Sequence, residues 1–376
     1  MGAFVRSHVE AASKFVKCSV IHLTVRKGEA TSPPTIRVEK TVVHSQMVEY
    51  RVTVDTPIRR FGLHDTFARR AFREVINLVI REQGPFSLYH IHVRDHLTKM
   101  VPFIRSLKNK PFLLTEHWSF YHRGIHGLGP AMEERQRMEI KKWLGLPTLY
   151  QILPVSRDLA ATLISGFGAT EESITVIPNV ADPTFSRENS KTPSEGADLR
   201  LVMTARWEPP KNPGLFFDAL RILEPEERMR LHIDLIGAGS LETEMRRRAR
   251  EIETGSITFH GLQSKPFIGD KLNRAHFLVH PTNAENLPAI IIESLCCGTP
   301  VLSHRVNGIP ELLDETNGIM CPARDTQAFA MALRGILNGA RPFDREAIAR
   351  NAQERFSQRA VGERIFGLYQ RAAASK

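Results

Sequence analysis

Two glutamates, Glu285 and Glu293, stand with seven residues between them around the start of an expected helix. Upstream, Arg206 and Lys211 place two cations just after an apolar run that reads as a strand. Residues 277–280 and 300–303 read as apolar strands on either side of the glutamates. Asn286 is a good N-cap type, and Pro288 suits a first helical turn because its missing N–H would be unpaired there anyway. Such a helix opens at the C-terminal edge of a parallel sheet, where oriented amides favour a phosphate group. Arg grips phosphate oxygens bidentately and Lys adds a point charge. One carboxylate near the phosphate end and one about a turn and a half inside the helix suit a ligand with hydroxyls on both sides of a diphosphate. A nucleotide sugar has that form. An acid near a helix N-terminus stabilises the helix without any ligand; that accounts for Glu285 alone, not for the pair together with two cations.

The elements that must position these residues alternate. Apolar spacing predicts a helix over 3–17, strands over 18–25 and 35–54, a long amphipathic helix over 64–82, and a strand over 88–93. A helix near 98–107, strand 112–117, helix 131–144, strand 149–154, helix 157–166 and strand 174–177 complete the first half. Residues 186–199 are polar without apolar period and read as a linker. The second half repeats the alternation: strands at 199–205, 231–236, 256–259, 277–280, 300–303 and 319–321. Helices lie at 212–223, 240–252, 266–273, 288–297, 310–313 and 325–338, and residues 344–373 are helical. Strands alternating with helices imply α/β units with parallel sheets and crossovers. The division predicted is a first unit over 1–182, a linker over 183–198, a second unit over 199–355 and a final helix over 356–376.

At 376 residues the chain exceeds the usual size of one hydrophobic core, so two domains are expected. The net charge of +10 points to an acidic partner, whether nucleic acid, an anionic bilayer face or a nucleotide diphosphate. No apolar run reaches the ~18 residues of a membrane span. Cys18, Cys296, Cys297 and Cys321 show neither metal-ligand spacing nor a disulfide framework, which fits a reducing cytoplasm. The amino terminus carries no secretory apolar stretch, and Arg6 occupies the place where a myristoylation signal needs Ser or Thr.

The segment around Glu285 and Glu293 resembles the E-x7-E signature of retaining family-4 glycosyltransferases, in which two Rossmann-like domains face each other across a cleft (GT-B architecture). Thr204-Ala205-Arg206-Trp207 with Lys211-Asn212, Ile236-Gly237-Ala238-Gly239, Phe259-His260-Gly261 and Gly308-Ile309-Pro310-Glu311 extend the resemblance in order. It implies a hexosyltransferase that takes a UDP- or GDP-linked sugar as substrate, needs no cofactor or metal, and passes the hexose to a glycan or polyprenyl-linked acceptor. Arg206 and Lys211 become the diphosphate pair. Glu285 accepts from hexose hydroxyls, Asn286 and Leu287 present backbone N–H groups, and Glu293 holds the ribose. His117, at the end of an apolar strand, is implied to contact the donor sugar from the opposite wall, with Glu116 and Trp118 shaping the acceptor side. The final helix is implied to cross back onto the first domain. A cytoplasmic enzyme touching the inner membrane face peripherally fits this picture. A binding protein that has lost turnover, or a phosphorylase or sucrose-synthase-like enzyme, shares the architecture. Family members begin with a strand feeding a Gly-rich loop. Met1-Gly2-Ala3-Phe4 corresponds to that loop's last glycine, so the first strand is expected to be absent. Gly2 would let the backbone approach the diphosphate if the loop were complete. A sheet without that strand would leave neighbouring backbone groups unpaired.

Three further patterns read as bland. Gly237-Ala-Gly239 mimics a dinucleotide fingerprint, but Glu242 takes the third glycine's place. Arg246 to Arg250 resembles a nucleic-acid patch, yet Glu242 and Glu244 stand four residues before Arg246 and Arg248, so ion pairs on a solvated face are expected and no nucleic acid. His90 and His92 share a strand face with His96 nearby, but no third ligand follows at suitable spacing, so no metal ion is expected. Nor does an Asp-x-Asp pair stand where a metal-dependent glycosyltransferase would hold its cation.

Overall fold

In the first half, β1 (Cys18–Gly28) lies parallel to β3 (Met47–Pro57), and β2 (Thr35–His44) folds back on β3 as an antiparallel hairpin. The expectation of purely parallel sheets is corrected at this hairpin. Residues 45–46 are too few for a crossover, so only an antiparallel return is possible. A second sheet joins β4 (Tyr89–His92), β5 (Phe112–Glu116) and β6 (Leu149–Pro154), all parallel. Among the described residues no strand pairing joins the two sheets. The structure, a computed structural model, describes residues 3–28, 35–57, 63–92, 110–117, 130–188, 193, 198–339 and 342–375. Gly2, His96, Trp118, the helix expected near 98–107 and most of the polar stretch after residue 188 lie outside them.

The second half is one parallel sheet of β7 (Leu199–Thr204), β8 (Leu231–Ile236), β9 (Ser256–Gly261), β10 (Phe277–His280), β11 (Val301–His304) and β12 (Gly318–Cys321). Its order, β12-β11-β10-β7-β8-β9, reverses direction between β10 and β7. Alternate side chains serve opposite faces. Leu201, Met203, Phe277 and Val279 join a core with Phe216, Phe217 and Phe329. Val202, Leu278 and Val301 join another with Ile291, Ile292 and Leu295. That second cluster also holds Ile152, Leu159 and Leu163 of the first half, so apolar packing runs through the seam between the halves. Each fully buried Leu, Ile or Phe is worth roughly 1.5–3 kcal/mol, so the seam is a substantial hydrophobic contact. Two Rossmann-like α/β domains result.

Several boundaries differ from the sequence reading. Residues 174–177 form no strand; only Ile174 bridges Ile152. The expected helix at 310–313 is a single 3-10 turn, Ile309–Glu311. A short helix, Pro225–Met229, occupies a stretch read as irregular. The C-terminal helical stretch breaks at Ser357, whose side chain accepts from the Ala360 N–H and so starts a new helix, Gln358–Ala374. That last helix packs on Ala3–Ser13, and a Cβ at Gly362 would lie 2.4 Å from the Ala11 carbonyl oxygen. Val361, Ile365 and Leu368 share a core with Ala11, Leu113 and Leu153 of the first domain.

Candidate active site

The loop after β7 is strapped to the loop after β8. The Trp207 N–H donates to the Ala238 carbonyl at 3.0 Å, and the Leu241 N–H donates to the Trp207 carbonyl at 2.9 Å. So close an approach leaves no room for side chains. A Cβ at Gly237, whose φ is 132°, would lie 1.9 Å from the Ala205 carbonyl oxygen, and one at Gly239 would lie 2.5 Å from that of Trp207. The glycines that mimic a dinucleotide fingerprint therefore serve loop-to-loop packing. The strap turns the chain through Pro209–Lys211 into Asn212, which sits in the left-handed region at φ 44°.

The loop after β10 is tied to the same turn. Asn283 N–H and Thr282 Oγ1 both donate to the Pro210 carbonyl, at 2.9 and 3.0 Å. This brings Lys211 Nζ onto Glu285 Oε1 in an ion pair, with His280 Nε2 on the same oxygen at 3.0 Å. The Glu285 N–H donates to Asn307 Oδ1 at 3.3 Å. Glu285 is buried, at 9% exposure. Burial alone would push its carboxyl up, but Lys211 and His280 outweigh that and hold it at about 2. Arg206 is exposed, and its charge bears on Glu208. The structure thus brings Lys211 and Glu285 together and leaves Arg206 exposed.

Asn286 is not the helix cap that its residue type suggests. The helix is Ala289–Cys296 with Pro288 at the cap position, and Asn286 Nδ2 donates instead to the His117 carbonyl of the first domain at 2.9 Å. Leu287 is held the same way, its carbonyl accepting from Asn179 Nδ2 at 2.6 Å. Tertiary contact has overridden the local capping preference. Inside the helix, Glu293 is partly buried near the Lys265–Asp182 ion pair. Its carboxyl is pushed up to about 7 by burial; Lys265 pulls back and Asp182 adds to the rise.

His117 closes β5. Its Nδ1 lies 3.1 Å from Asn179 Oδ1, and its ring tilts against Phe4 at 4.6 Å. Its backbone, through Asn286, is what touches the second domain. Glu116 is buried at 1% exposure. His90 lies over His92, with ring centroids 4.2 Å apart, but its two nitrogens meet Tyr369 Oη and Thr115 Oγ1, both at 2.6 Å. The chain offers His90 and His92 no third ligand at suitable spacing, but in space His8 and His117 arrive beside His92 from other elements. The arginine run behaves as read: Arg246 pairs with Glu242 and Arg248 with Glu244, each at 2.8 Å.

Sequence reasoning missed Asn179, His280, Asn307 and Glu311 as working residues. Glu311 accepts from the Arg157 and Asp158 N–H groups at 2.8 and 2.9 Å, capping the Arg157–Phe167 helix across the seam. Its only signal was membership of Gly308-Ile-Pro-Glu311. Gly308 itself is forced by contact, since a Cβ there would lie 1.8 Å from the Asn286 carbonyl oxygen.

Comparison with known proteins agrees with this architecture. Residues 20–185 match the model described as Glycosyltransferase Family 4, and residues 198–339 match Glycosyl transferases group 1. A D-inositol 3-phosphate glycosyltransferase of Saccharomonospora viridis is 27% identical over 243 residues, covering 59% of this chain and 56% of that protein. The chain spans about half the length, or less, of the curated relatives it matches first. A sucrose-phosphate synthase structure from Thermosynechococcus elongatus superposes with a TM-score of 0.74 at 18% identity, covering 99% of this chain and 93% of that one. Anabaena Alr3699/HepE in complex with UDP-glucose gives 0.64 at 14% identity, covering 84% and 86%. At these identities the structural likenesses speak for the fold.

Proposed function

We propose that this chain, which belongs to glycosyltransferase family 4 by its two matched domains and its fold, transfers a hexose from a nucleotide-diphosphate sugar to a glycan or lipid-linked acceptor with retention. One observation carries the proposal. Lys211 follows β7 and Glu285 follows β10, the two strands between which the sheet order reverses, and they meet there. In open α/β sheets that crevice is where ligands bind.

In this reading the diphosphate sits against the loop at 285–288 and the start of the Ala289–Cys296 helix. Lys211, already held at the spot by Glu285, supplies charge at once, and exposed Arg206 swings in to grip phosphate oxygens. Glu285, kept ionised, accepts from hexose hydroxyls. Asn286 and Leu287 contribute backbone N–H groups, and Glu293 accepts from the ribose. His117 walls the hexose subsite from the first domain. The acceptor hydroxyl approaches the face that the diphosphate leaves, and a leaving phosphate oxygen takes its proton through an oxocarbenium-like state. Fixed positive charge at Lys211 and Arg206 stabilises the departing diphosphate, so transfer needs no metal at this position. A peripheral contact with an anionic membrane face is supported by the net charge of +10; among the described residues no helix is long and apolar enough to cross a membrane.

The test is thermal shift against UDP, GDP, ADP, CMP and their common sugar conjugates, with wild type and Glu293→Ala, followed by product analysis. A ligand at a hundred times its Kd adds about 2.7 kcal/mol to the folded state. A shift with one nucleotide diphosphate that the variant loses, with a product of unchanged anomeric configuration, is the expected result. No shift with any of them overturns the reading. A shift without turnover leaves a binding protein, a reading motivated by the two sheets of the first domain that no strand pairing joins among the described residues. Turnover that requires inorganic phosphate as acceptor assigns a phosphorylase.

A further inference from the structure

Three imidazoles from three separate elements converge in the first domain: His8 of the Ala3–Ser13 helix, His92 at the end of β4 and His117 at the end of β5. Each offers one nitrogen, and the three nitrogens lie within 4.8 Å of one another. The ring centroids are 5.0 Å apart for His8 and His117, 5.7 Å for His8 and His92, and 5.8 Å for His92 and His117.

The hydrogen bonding sets the tautomers. His8 Nε2 lies 2.9 Å from the Pro178 carbonyl, an acceptor only, so Nε2 carries the proton and Nδ1 keeps its lone pair. His117 Nδ1 faces Asn179 Oδ1, and Asn179 is oriented by donating its Nδ2 to the Leu287 carbonyl, so here Nε2 keeps the lone pair. Those two atoms, His8 Nδ1 and His117 Nε2, are buried without a protein partner, and so is His92 Nδ1. His8 is 1% exposed. A buried ring nitrogen left unpaired costs free energy, and three in one cluster are not explained by packing. Metal-ligating histidines characteristically donate their other ring N–H to a carbonyl, as His8 and His117 do here.

We propose that His8, His92 and His117 form a three-imidazole site for a divalent cation of the zinc class. With metal–nitrogen bonds of about 2.0–2.1 Å, tetrahedral coordination needs nitrogens ~3.3 Å apart, which each ring reaches by moving less than about 1 Å. Rotation about the soft terminal torsion of histidine supplies that movement. No thiolate joins the set and three nitrogens leave one tetrahedral position for water or another ligand, the pattern of an open rather than closed zinc site. The metal ties the Ala3–Ser13 helix to β4 and β5 and fixes the ring of His117, whose carbonyl holds Asn286 of the second domain.

The site shares His117 with the transfer reading but does not rest on it, because its readout is metal binding rather than activity. The metal-stripped chain is titrated with Co²⁺. The expected result is one equivalent bound with the visible absorption of a four-coordinate nitrogen-ligated ion, displaced by Zn²⁺. His8→Gln and His92→Gln should lose it, while His90→Gln, whose ring faces Tyr369 and Thr115, should keep it. Asn179→Ala should weaken binding by about 10–100-fold, as loss of an orienting partner does. Folding of each variant is checked by circular dichroism. Should the variants fail to fold, histidine carbethoxylation of wild type is mapped with and without Zn²⁺, and protection confined to His8, His92 and His117 supports the site. Absence of the cobalt spectrum in wild type, binding that survives both ligand substitutions, or protection at other histidines overturns it.

Discussion

Replacing Glu293 by glutamine should stabilise the free protein and abolish nucleotide binding, because the same burial produces both effects. The carboxyl is pushed up to about 7 from an ordinary 4.5, first by burial and then by Asp182, with Lys265 offsetting part of the rise. The folded state therefore binds more protons than the unfolded chain between pH 4.5 and 7, and stability falls as pH rises through that window. At about 1.4 kcal/mol per pH unit the full loss is about 3 kcal/mol, and partial exposure of the side chain reduces it to roughly 1–3. Glu293→Gln keeps the volume and removes the ionisation. Its stability should match wild type near pH 4.5 and exceed it at pH 8 by that amount, or about 2–4 °C in Tm per kcal/mol for a domain of this size. Thermal melts from pH 4.5 to 8 measure this directly. Parallel profiles for the two proteins would refute the assignment.

Ligand linkage gives a second readout of the same group. A ribose whose hydroxyls donate to the Glu293 carboxylate selects the ionised form, so binding must release a proton below pH 7. Affinity for the nucleotide diphosphate should then drop by up to about tenfold per pH unit below 7. Titration calorimetry in buffers of different ionisation enthalpy counts the proton. Affinity that stays flat from pH 5.5 to 8 would mean that Glu293 does not hold the ribose, whatever its stability effect.

The other predictions concern the crevice and the seam. Lys211→Ala should lower turnover more than substrate affinity, as loss of charge at the leaving group requires, and unchanged kcat would remove Lys211 from that role. The same variant leaves Glu285 without its cation at a cost of about 2–3 kcal/mol, less than for a fully buried pair because Lys211 is partly exposed. The stability from the Glu285 pairing is present above pH 4.5 and lost as pH falls toward about 2 in wild type; in Lys211→Ala that loss should begin at higher pH, read by acid titration of the fluorescence. Gly308→Ala places a methyl group against the Asn286 carbonyl and should cost about 3 kcal/mol and weaken nucleotide binding, whereas a wild-type melting curve would show that the two loops separate freely. Glu311→Ala removes two charge-assisted bonds from the Arg157–Phe167 helix start and should cost about 1–3 kcal/mol by urea unfolding, with Glu311→Gln costing less.

The strands of the second domain were legible because they are buried on both faces. Leu201 to Met203 and Phe277 to Val279 are continuous apolar runs that only a parallel sheet covered on both sides accommodates. The meeting of Lys211 with Glu285 follows from their expected places at the ends of two strands. What the sequence did not disclose depends on contacts between residues far apart in the chain. Asn286 has the chemistry of a cap, and nothing local shows that the His117 carbonyl claims its amide. Gly237 and Gly239 have the spacing of a phosphate loop, and only the approach of the Trp207 loop shows that they are there for lack of a Cβ. His8, His92 and His117 share no spacing rule, since each belongs to a different element and they meet only when the Ala3–Ser13 helix docks beside β4 and β5.

The groups proposed to receive the donor are also the groups that join the domains. Asn286 and Leu287 are held by His117 and Asn179, Gly308 supports the Asn286 backbone, and Glu311, three residues on, caps a helix of the first domain. A diphosphate arriving at this loop therefore enters a structure already fixed from both sides, and little ordering of the backbone remains to be done. That arrangement lowers the entropic cost of binding and makes affinity depend on contacts remote from the ligand. The same loop is bonded to the His117 backbone, and the His117 ring lies 5.0 Å from that of His8 and 5.8 Å from that of His92. The crevice at the sheet reversal and the histidine cluster are in this way two ends of one hydrogen-bonded path through Asn286 and Asn179.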